Sequence, residues 1–340
     1  MLLRILILLL LSPAIVRGEG LPLFQSDDTL QIVLDFPMKT ILRRPENRPV
    51  VDGSLEYTDK SGNTVNLPVT ISTRGKSRLE VCKFPPLSLS FKKKLVKGSI
   101  FEGQKSLKLV THCQSRSNFR SYVRQEYAIY EAFTLLTDVS FRARYLDITY
   151  RDFEKAGNEI QERGFLIESI GEVATRNGLE RQKVPRIPTV QLDPAHTALA
   201  TMFQFLIGNT DWSVKLGSGG ANCCHNGRAL SPPGADSGWM VVPYDFDQAG
   251  IINTNYAEPG AQLGIRSVRQ RLWRGRCVLN DQVDGVIAVF NEYRDELETV
   301  LLPDGMLNLK SVTRYIEDFY KIINDPKQRT KYIEKRCMAG

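Results

Sequence analysis

The chain has 340 residues, 42% of them hydrophobic and 24% charged, and a formal net charge of +7 at pH 7. This composition is typical of a folded globular protein and excludes a disordered or fibrous chain. The positive charge is scattered and accompanies no helix-turn-helix, zinc-finger or single-strand-binding motif, so we expect no nucleic-acid partner. An anionic substrate fits the charge equally well.

The first residues have the layout of a cleavable secretory signal. A short apolar run is interrupted by Pro13 and Arg17 before the small residues around Gly18. A membrane span needs about 20 uninterrupted apolar residues, so we expect cleavage near Gly18 rather than an anchor. Residues 1–18 are then the signal peptide. The mature chain, 19–340, is expected to be soluble and exported, periplasmic or secreted, without stable insertion in a membrane.

All six cysteines lie in the part that is expected to be exported, where an oxidising compartment allows disulfides. The sequence favours the pair Cys82 and Cys113, because each lies beside a predicted strand. The alternative is a zinc site built from Cys223, Cys224, His225 and Cys277. Three consecutive residues rarely converge on one tetrahedral ion, which makes the zinc site the weaker hypothesis.

The first half of the chain alternates apolar and polar residues between turn signals, as half-buried strands do. This pattern predicts five strands, then a long helix at 117–136, then two further strands. The predicted strands lie at 31–36, 53–57, 67–72, 87–91, 107–110, 143–150 and 164–169. The N-terminal part is therefore expected to be a β-rich lobe interrupted by one helix.

The second half of the chain has a helical pattern. From Pro194, apolar residues recur every three or four positions up to Gly208, which predicts a helix that packs in a core. Further helices are predicted at 281–302 and 309–323. Together the two halves predict an α+β fold with an α-rich C-terminal lobe.

Polar residues that suit phosphoryl transfer follow two of these core elements. Asp211 comes directly after the core helix, and Asn226 follows a glycine-rich stretch. Asp245 and Asp247 end the apolar run at 239–244. Phosphoryl transfer needs groups that position the nucleophile and hold metal ions against phosphates. By itself, Asp-Phe-Asp is more often an ordinary strand end. Kinase-like enzymes, however, supply their site residues in the order seen here, which is a helix, an Asp, a later Asn and then a strand that ends in Asp-Phe-Asp.

A carboxylate on the long helix is a candidate partner for a nucleotide-anchoring lysine. Apolar residues surround Glu126 at helical spacing, so it is expected to face the core and to need a cation. Lys108 and Lys83 are the candidates, and a structural pair with Arg124 or another arginine is an equal alternative. The stretch that ends near Glu168 lies between the two halves, where a kinase hinge would meet adenine, although an ordinary buried strand explains it equally well.

The chain resembles the CotH-type kinases (spore coat protein H) from about residue 71 to residue 250. The resemblance rests on the Lys83 and Phe91-Lys92 strands and on the motifs Thr73-Arg74-Gly75, Arg124-Gln125-Glu126, Phe165-Leu166-Ile167-Glu168, Asn209-Thr210-Asp211 and Tyr244-Asp245-Phe246-Asp247. It implies a two-lobed, atypical protein-kinase-like fold. The N-lobe would cover about 27–165 and the C-lobe about 170–340.

The resemblance also implies a function, the transfer of the ATP γ-phosphoryl group to a protein hydroxyl with Mg²⁺ (or Mn²⁺). It assigns the catalytic carboxylate to Asp211. The metal ligands that it implies are Asn226 and Asp245, with Asp247 as a second or alternative ligand and Asn222 as the alternative to Asn226. The nucleotide-binding residues expected are Glu126, Glu168 and either Lys83 or Lys108.

Two other functions stay open. One is a catalytically inactive envelope or coat protein that keeps the fold for binding, because ATP is scarce outside the cytoplasm. The other is a zinc hydrolase that uses His225 and its neighbouring cysteines.

Overall fold

The computed structural model describes residues 20–339, apart from positions 76, 156 and 305. The expected signal peptide at 1–18 lies outside the described residues. The strands are β1 (Leu30–Asp35), β2 (Val50–Thr58), β3 (Thr64–Thr73), β4 (Leu87–Ser90), β5 (Ser106–Val110), β6 (Ala143–Arg151), β7 (Glu159–Ile167), β8 (Glu180–Arg181), β9 (Gly227–Ser231) and β10 (Met240–Pro243). The helices are α1 (Met38–Arg43), α2 (Ser77–Val81), α3 (Ser117–Leu136), α4 (Ile170–Arg176), α5 (Pro194–Ile207), α6 (Val283–Glu292), α7 (Arg294–Leu301), α8 (Leu309–Asn324) and α9 (Pro326–Tyr332).

Seven strands close into a barrel in the order β1-β2-β3-β4-β5-β7-β6. Neighbouring strands are antiparallel except for β1 and β6, which run parallel with Leu30 opposite Leu146 and Asp35 opposite Arg151. Alternate side chains of a barrel strand point inward. Those of this barrel form one buried apolar cluster, which includes Leu34, Leu55, Ile71, Leu89 and Tyr150.

The expected two-lobed, kinase-like fold is wrong. The β-rich part is a closed barrel, because β1 pairs with both β2 and β6 and so leaves no open edge between them. The second half also contains strands, since β8, β9 and β10 form a three-stranded antiparallel sheet. Each strand of the barrel was predicted from local alternation. The parallel pairing of two strands far apart in the sequence leaves no local pattern, so closure could not be predicted.

The helix α3 lies between the barrel and the second half of the chain. Its bounds are those predicted, and its buried Tyr130 and Phe133 join a large apolar cluster with Phe203 of α5 and Phe319 of α8. The helix α5 also begins and ends as predicted. The stretch predicted as one helix at 281–302 is two helices, α6 and α7, separated by Tyr293.

All six cysteines form disulfides. The predicted pair Cys82–Cys113 is confirmed, with its two Cα atoms 4.5 Å apart. The other bonds are Cys223–Cys224 and Cys277–Cys337. The zinc hypothesis loses its sulfur ligands, because a sulfur in a disulfide is not a thiolate.

Within the described ranges, no helix combines the length and the apolar sequence that crossing a membrane requires.

Candidate functional site

A cavity of about 750 Å³ lies where the barrel meets the loops of the second half of the chain. Asp211 and Asp245, which the sequence assigns to the same phosphoryl-transfer chemistry, both line it. The other predicted residues in its wall are Lys108, Asn226, Asp247 and the alternative ligand Asn222. The barrel supplies Lys108 from β5, and the segments that follow α5 and β10 supply the carboxylates.

The end of α5 fixes the position of Asp211. The helix stops at Gly208, whose φ of 65° is a left-handed conformation that glycine adopts at little cost. The Asp211 N–H then donates to the side-chain oxygen of Asn209 at 2.9 Å. Arg274 donates to the carbonyl oxygens of Thr210 and Trp212. The backbone is therefore held on both sides of the carboxylate.

Both carboxylate oxygens of Asp211 accept hydrogen bonds. His225 Nε2 donates to Oδ1 at 2.6 Å, and Asn226 Nδ2 donates to Oδ2 at 2.9 Å. The side chains of Asp211 and His225 are 44% and 31% exposed, so they remain accessible from the cavity. The hydrogen bond to Asp211 raises the pKa of His225 above its usual value, against the opposing effect of partial burial. His225 was considered only as a zinc ligand from the sequence, and its role beside Asp211 was missed.

Asp245 and Asp247 follow β10 but have different surroundings. Asp245 has a left-handed φ of 65°, and its N–H donates to the Tyr130 hydroxyl at 2.9 Å. Between the two carboxylates, Phe246 is fully buried and packs against Tyr130 and Phe203. Within the described part of the chain, no hydrogen bond reaches the Asp245 carboxylate, whereas Asp247 is buried in an ion pair.

Arg78 of α2 joins the two buried carboxylates. Its Nη2 lies 2.6 Å from Glu126 Oε2, and its Nε lies 2.8 Å from Asp247 Oδ2. Burial raises the pKa of Glu126 to about 7 and outweighs the opposing effect of Arg78. Burial also raises the pKa of Asp247. For Arg78, burial lowers the pKa, but Asp247 and Glu126 more than compensate and hold it well above its usual value.

Among the described residues, neither of the two candidate lysines forms an ion pair with Glu126. Lys83 is exposed and does not line the cavity, whereas Lys108 lies in the cavity wall, which Glu126 does not line. The alternative of a pair with an arginine is what the structure contains, although the arginine is Arg78 rather than Arg124. The one sequence signal for Arg78 was its place in a basic run just before Cys82, whose disulfide attaches α2 near the start of α3.

Further cations surround Tyr244 in the wall of the cavity. Lys108 Nζ lies 4.2 Å from the centre of the Tyr244 ring, and the Arg228 guanidinium lies 4.1 Å from it. Burial, together with Arg74 and Arg228, lowers the pKa of Lys108 to about 7. Arg74 is half-buried, and its buried Nε has no hydrogen-bond partner in the described residues. These three cations suit a ligand with several negative charges.

Glu168 lies away from the cavity. Its carboxylate is buried and pairs with Arg176, with N–O distances of 3.0 and 3.1 Å. The supposed hinge before it is the strand β7, in which Leu166 pairs with Leu109 on one side and Arg144 on the other. The backbone groups of this stretch therefore pair with the neighbouring strands of the barrel. The stretch is an ordinary buried strand, which was the alternative interpretation.

The residues present fit a magnesium ion that binds together with phosphates. Across the described ranges, no group of three or more His, Cys, Asp or Glu side chains is arranged as a complete metal site. Mg²⁺ does not need one, since it usually takes one or two carboxylates plus water and phosphate oxygens. The Asp245 carboxylate is a ligand of this kind without a hydrogen-bond partner in the described residues, and Asn226 lies in the same wall.

No protein-family model matches the sequence, and no curated protein matches it either.

Proposed function

We propose that this protein is a phosphotransferase that moves the γ-phosphoryl group of ATP to a hydroxyl group of a protein, with Mg²⁺ or Mn²⁺. The observation that carries the proposal is that Asp211, Asn226 and Asp245 line one cavity whose wall also holds half-buried cations. This is the activity implied by the resemblance to CotH-type kinases. The proposal concerns the chemistry of the cavity and does not require a two-lobed kinase fold, which the barrel contradicts.

The half-buried cations supply the attraction for phosphates. Arg74, Lys108 and Arg228 make no ion pair in the described part of the chain, so their charges remain available to a ligand. In a partly buried site such charges act more strongly than in water. Lys108, with a pKa near 7, would gain a full charge when a phosphate approaches, because an anion favours the protonated form.

The carboxylates divide into two roles. Asp245 has a free carboxylate and would hold the metal, which supplies charge neutralisation at the phosphates when it is bound. Asn226 donates to Asp211 through its nitrogen and has a side-chain oxygen left as a second ligand. Asp211 would accept the proton of the acceptor hydroxyl, with His225 and Asn226 fixing its orientation. The Asp247 carboxylate forms an ion pair with Arg78, so it would act on the bound ligand only indirectly, through that ion pair.

Export is part of the proposal and is supported by the three disulfides, because such bonds persist in oxidising compartments. An exported enzyme, periplasmic or secreted, would need a local supply of ATP or another phosphate donor.

One observation favours a second candidate, a protein that binds the nucleotide without transfer. Both oxygens of Asp211 already accept hydrogen bonds from His225 and Asn226. A carboxylate whose two oxygens both accept hydrogen bonds is a weak base unless one of these hydrogen bonds breaks when substrate binds.

A transfer assay with labelled ATP and purified mature protein separates the two candidates. Asp211→Asn keeps the shape and loses the charge, so it should bind ATP as the unaltered protein does and lose transfer. Lys83→Gln is the control, since it removes an exposed charge outside the cavity, and it should keep both properties. Nucleotide binding without any transfer by the unaltered protein would support the second candidate and refute the first.

A further inference from the structure

Five exposed or half-buried cations extend from the mouth of the cavity over the adjoining surface. We call them the basic strip, and they are Arg48, Arg181, Lys183, Arg186 and Lys215. The first three line the cavity that holds Asp211. The other two continue the strip on the outside, where Arg186 pairs with Leu216 in an isolated bridge. Positive charge therefore leads from the surface to the proposed catalytic carboxylate.

The backbone beneath the strip is firmly anchored. Gln182 N–H donates to the Ala229 carbonyl at 2.9 Å, and Ile187 N–H donates to the Lys215 carbonyl at 3.1 Å. Val184 and Ile187 pack in the apolar cluster around the Cys223–Cys224 disulfide. Arg181 and Lys183, two residues apart, stay exposed while Val184 faces inward. A rigid arrangement of this kind lowers the entropic cost of binding.

Among the described residues, the charges of the strip have no carboxylate partners. In the part of the chain that the structure describes, none of the five cations forms an ion pair, and Arg48 donates to the carbonyl oxygen of Gly75 at 2.7 Å. The nearby Glu180 accepts hydrogen bonds from Gln182 and the Gly234 N–H instead. Elsewhere, by contrast, Arg78 and Arg176 are fully paired. Uncompensated charge beside a cavity raises the local concentration of anions and steers their approach.

We propose that the basic strip binds an acidic stretch of polypeptide and so selects acceptors whose hydroxyl residue is flanked by Asp or Glu. This inference rests on the proposed function, because it places the acceptor hydroxyl at Asp211. Cations at alternate positions along an extended segment are spaced about 7 Å apart, which suits alternate acidic side chains of an extended peptide. Complementary charge between the strip and the peptide makes binding selective and speeds association, and the selection of acceptors requires both.

Polypeptide fits the strip better than single-stranded nucleic acid does. Sites for single strands combine cations with exposed aromatic rings on which bases stack. Among the described residues, the exposed large apolar side chains include one aromatic ring, Phe153, which lies between β6 and β7 and not in the strip.

The test measures binding of two labelled peptides to the full mature chain without nucleotide. Both contain one serine; one has acidic neighbours and the other has Asn and Gln in their place. We expect the acidic peptide to bind about tenfold more tightly, and Arg181→Gln/Lys183→Gln to lose most of that difference. The matched control is Lys93→Gln/Lys94→Gln, which removes two exposed lysines that do not line the cavity, and it should bind as the unaltered protein does.

Equal binding of the two peptides, or an equal loss in both double variants, would overturn the inference. So would tighter binding of a single-stranded oligonucleotide or of phosphatidylserine vesicles than of the acidic peptide at the same salt concentration. Binding of ATP with Mg²⁺ is measured on the same samples and should weaken much less in Arg181→Gln/Lys183→Gln than binding of the acidic peptide does, because Arg74, Lys108 and Arg228 remain in the cavity wall. If no sample binds nucleotide while the acidic peptide is still selected, the proposed function fails and the strip remains a peptide site.

Discussion

Replacing Arg78 with methionine would leave two buried carboxylates without their shared cation. In the native protein the Glu126 and Asp247 side chains are only 4% and 9% exposed, and each contacts Arg78 at less than 3 Å. Methionine preserves much of the length and volume of the side chain. The effect of Arg78→Met therefore reports on the lost charge more than on lost packing.

Removing one partner of a buried ion pair costs about 3–5 kcal/mol, because the other charge stays buried and unpaired. We expect the free energy of unfolding to fall by about this amount at pH 8. The cost should be smaller at pH 5. Without Arg78, the pKa values of Glu126 and Asp247 in the folded protein rise further above their unfolded values of 4.5 and 3.8. A carboxyl with a raised folded pKa contributes stability that is complete below its unfolded pKa and is lost as the pH rises from that value through the folded pKa, so more of it remains at pH 5 than at pH 8.

Urea denaturation at pH 5 and pH 8, with the disulfides intact, measures these differences. The control is Arg163→Gln, because Arg163 and its partner Asp147 are 64% and 43% exposed and such pairs contribute at most about 1 kcal/mol. Adding Glu126→Gln and Asp247→Asn to Arg78→Met should restore much of the lost stability at pH 8. A loss below 1 kcal/mol at pH 8, or a loss that increases toward pH 5, would refute the reasoning.

Three further predictions concern the cavity and the disulfides. Asp245→Asn, which tolerates the left-handed backbone, should abolish Mg²⁺-dependent binding of ATP in calorimetry while leaving the melting temperature nearly unchanged. At pH 8, binding of ATP should take up a proton at Lys108, whose pKa is about 7 without ligand, and calorimetry in buffers of different ionisation enthalpy should show this uptake vanish in Lys108→Met. Cys82→Ala/Cys113→Ala should lower the free energy of unfolding by about 2–4 kcal/mol, and an unchanged denaturation midpoint would contradict this.

Local patterns in the sequence determined most of the elements. The bounds of α3 and α5 follow from apolar residues at helical spacing and from Gly208, which ends α5 in a left-handed conformation. The barrel strands follow from alternation. The sequence also indicated the disulfide Cys82–Cys113, and it singled out Asp211 and Asp245 as residues of one site because each follows a core element.

The tertiary structure alone decided how these elements pair. Closure of the barrel depends on the parallel contact of β1 with β6, and no local pattern encodes a contact between distant segments. For the same reason, the burial of Glu126 could be predicted from α3 itself, but its partner could not. That partner, Arg78, comes from a short helix with no strong pattern of its own, and it reaches Glu126 because the chain folds α2 against α3. Periodicity tells which way a side chain faces, whereas the identity of the group that it meets is a property of the whole fold.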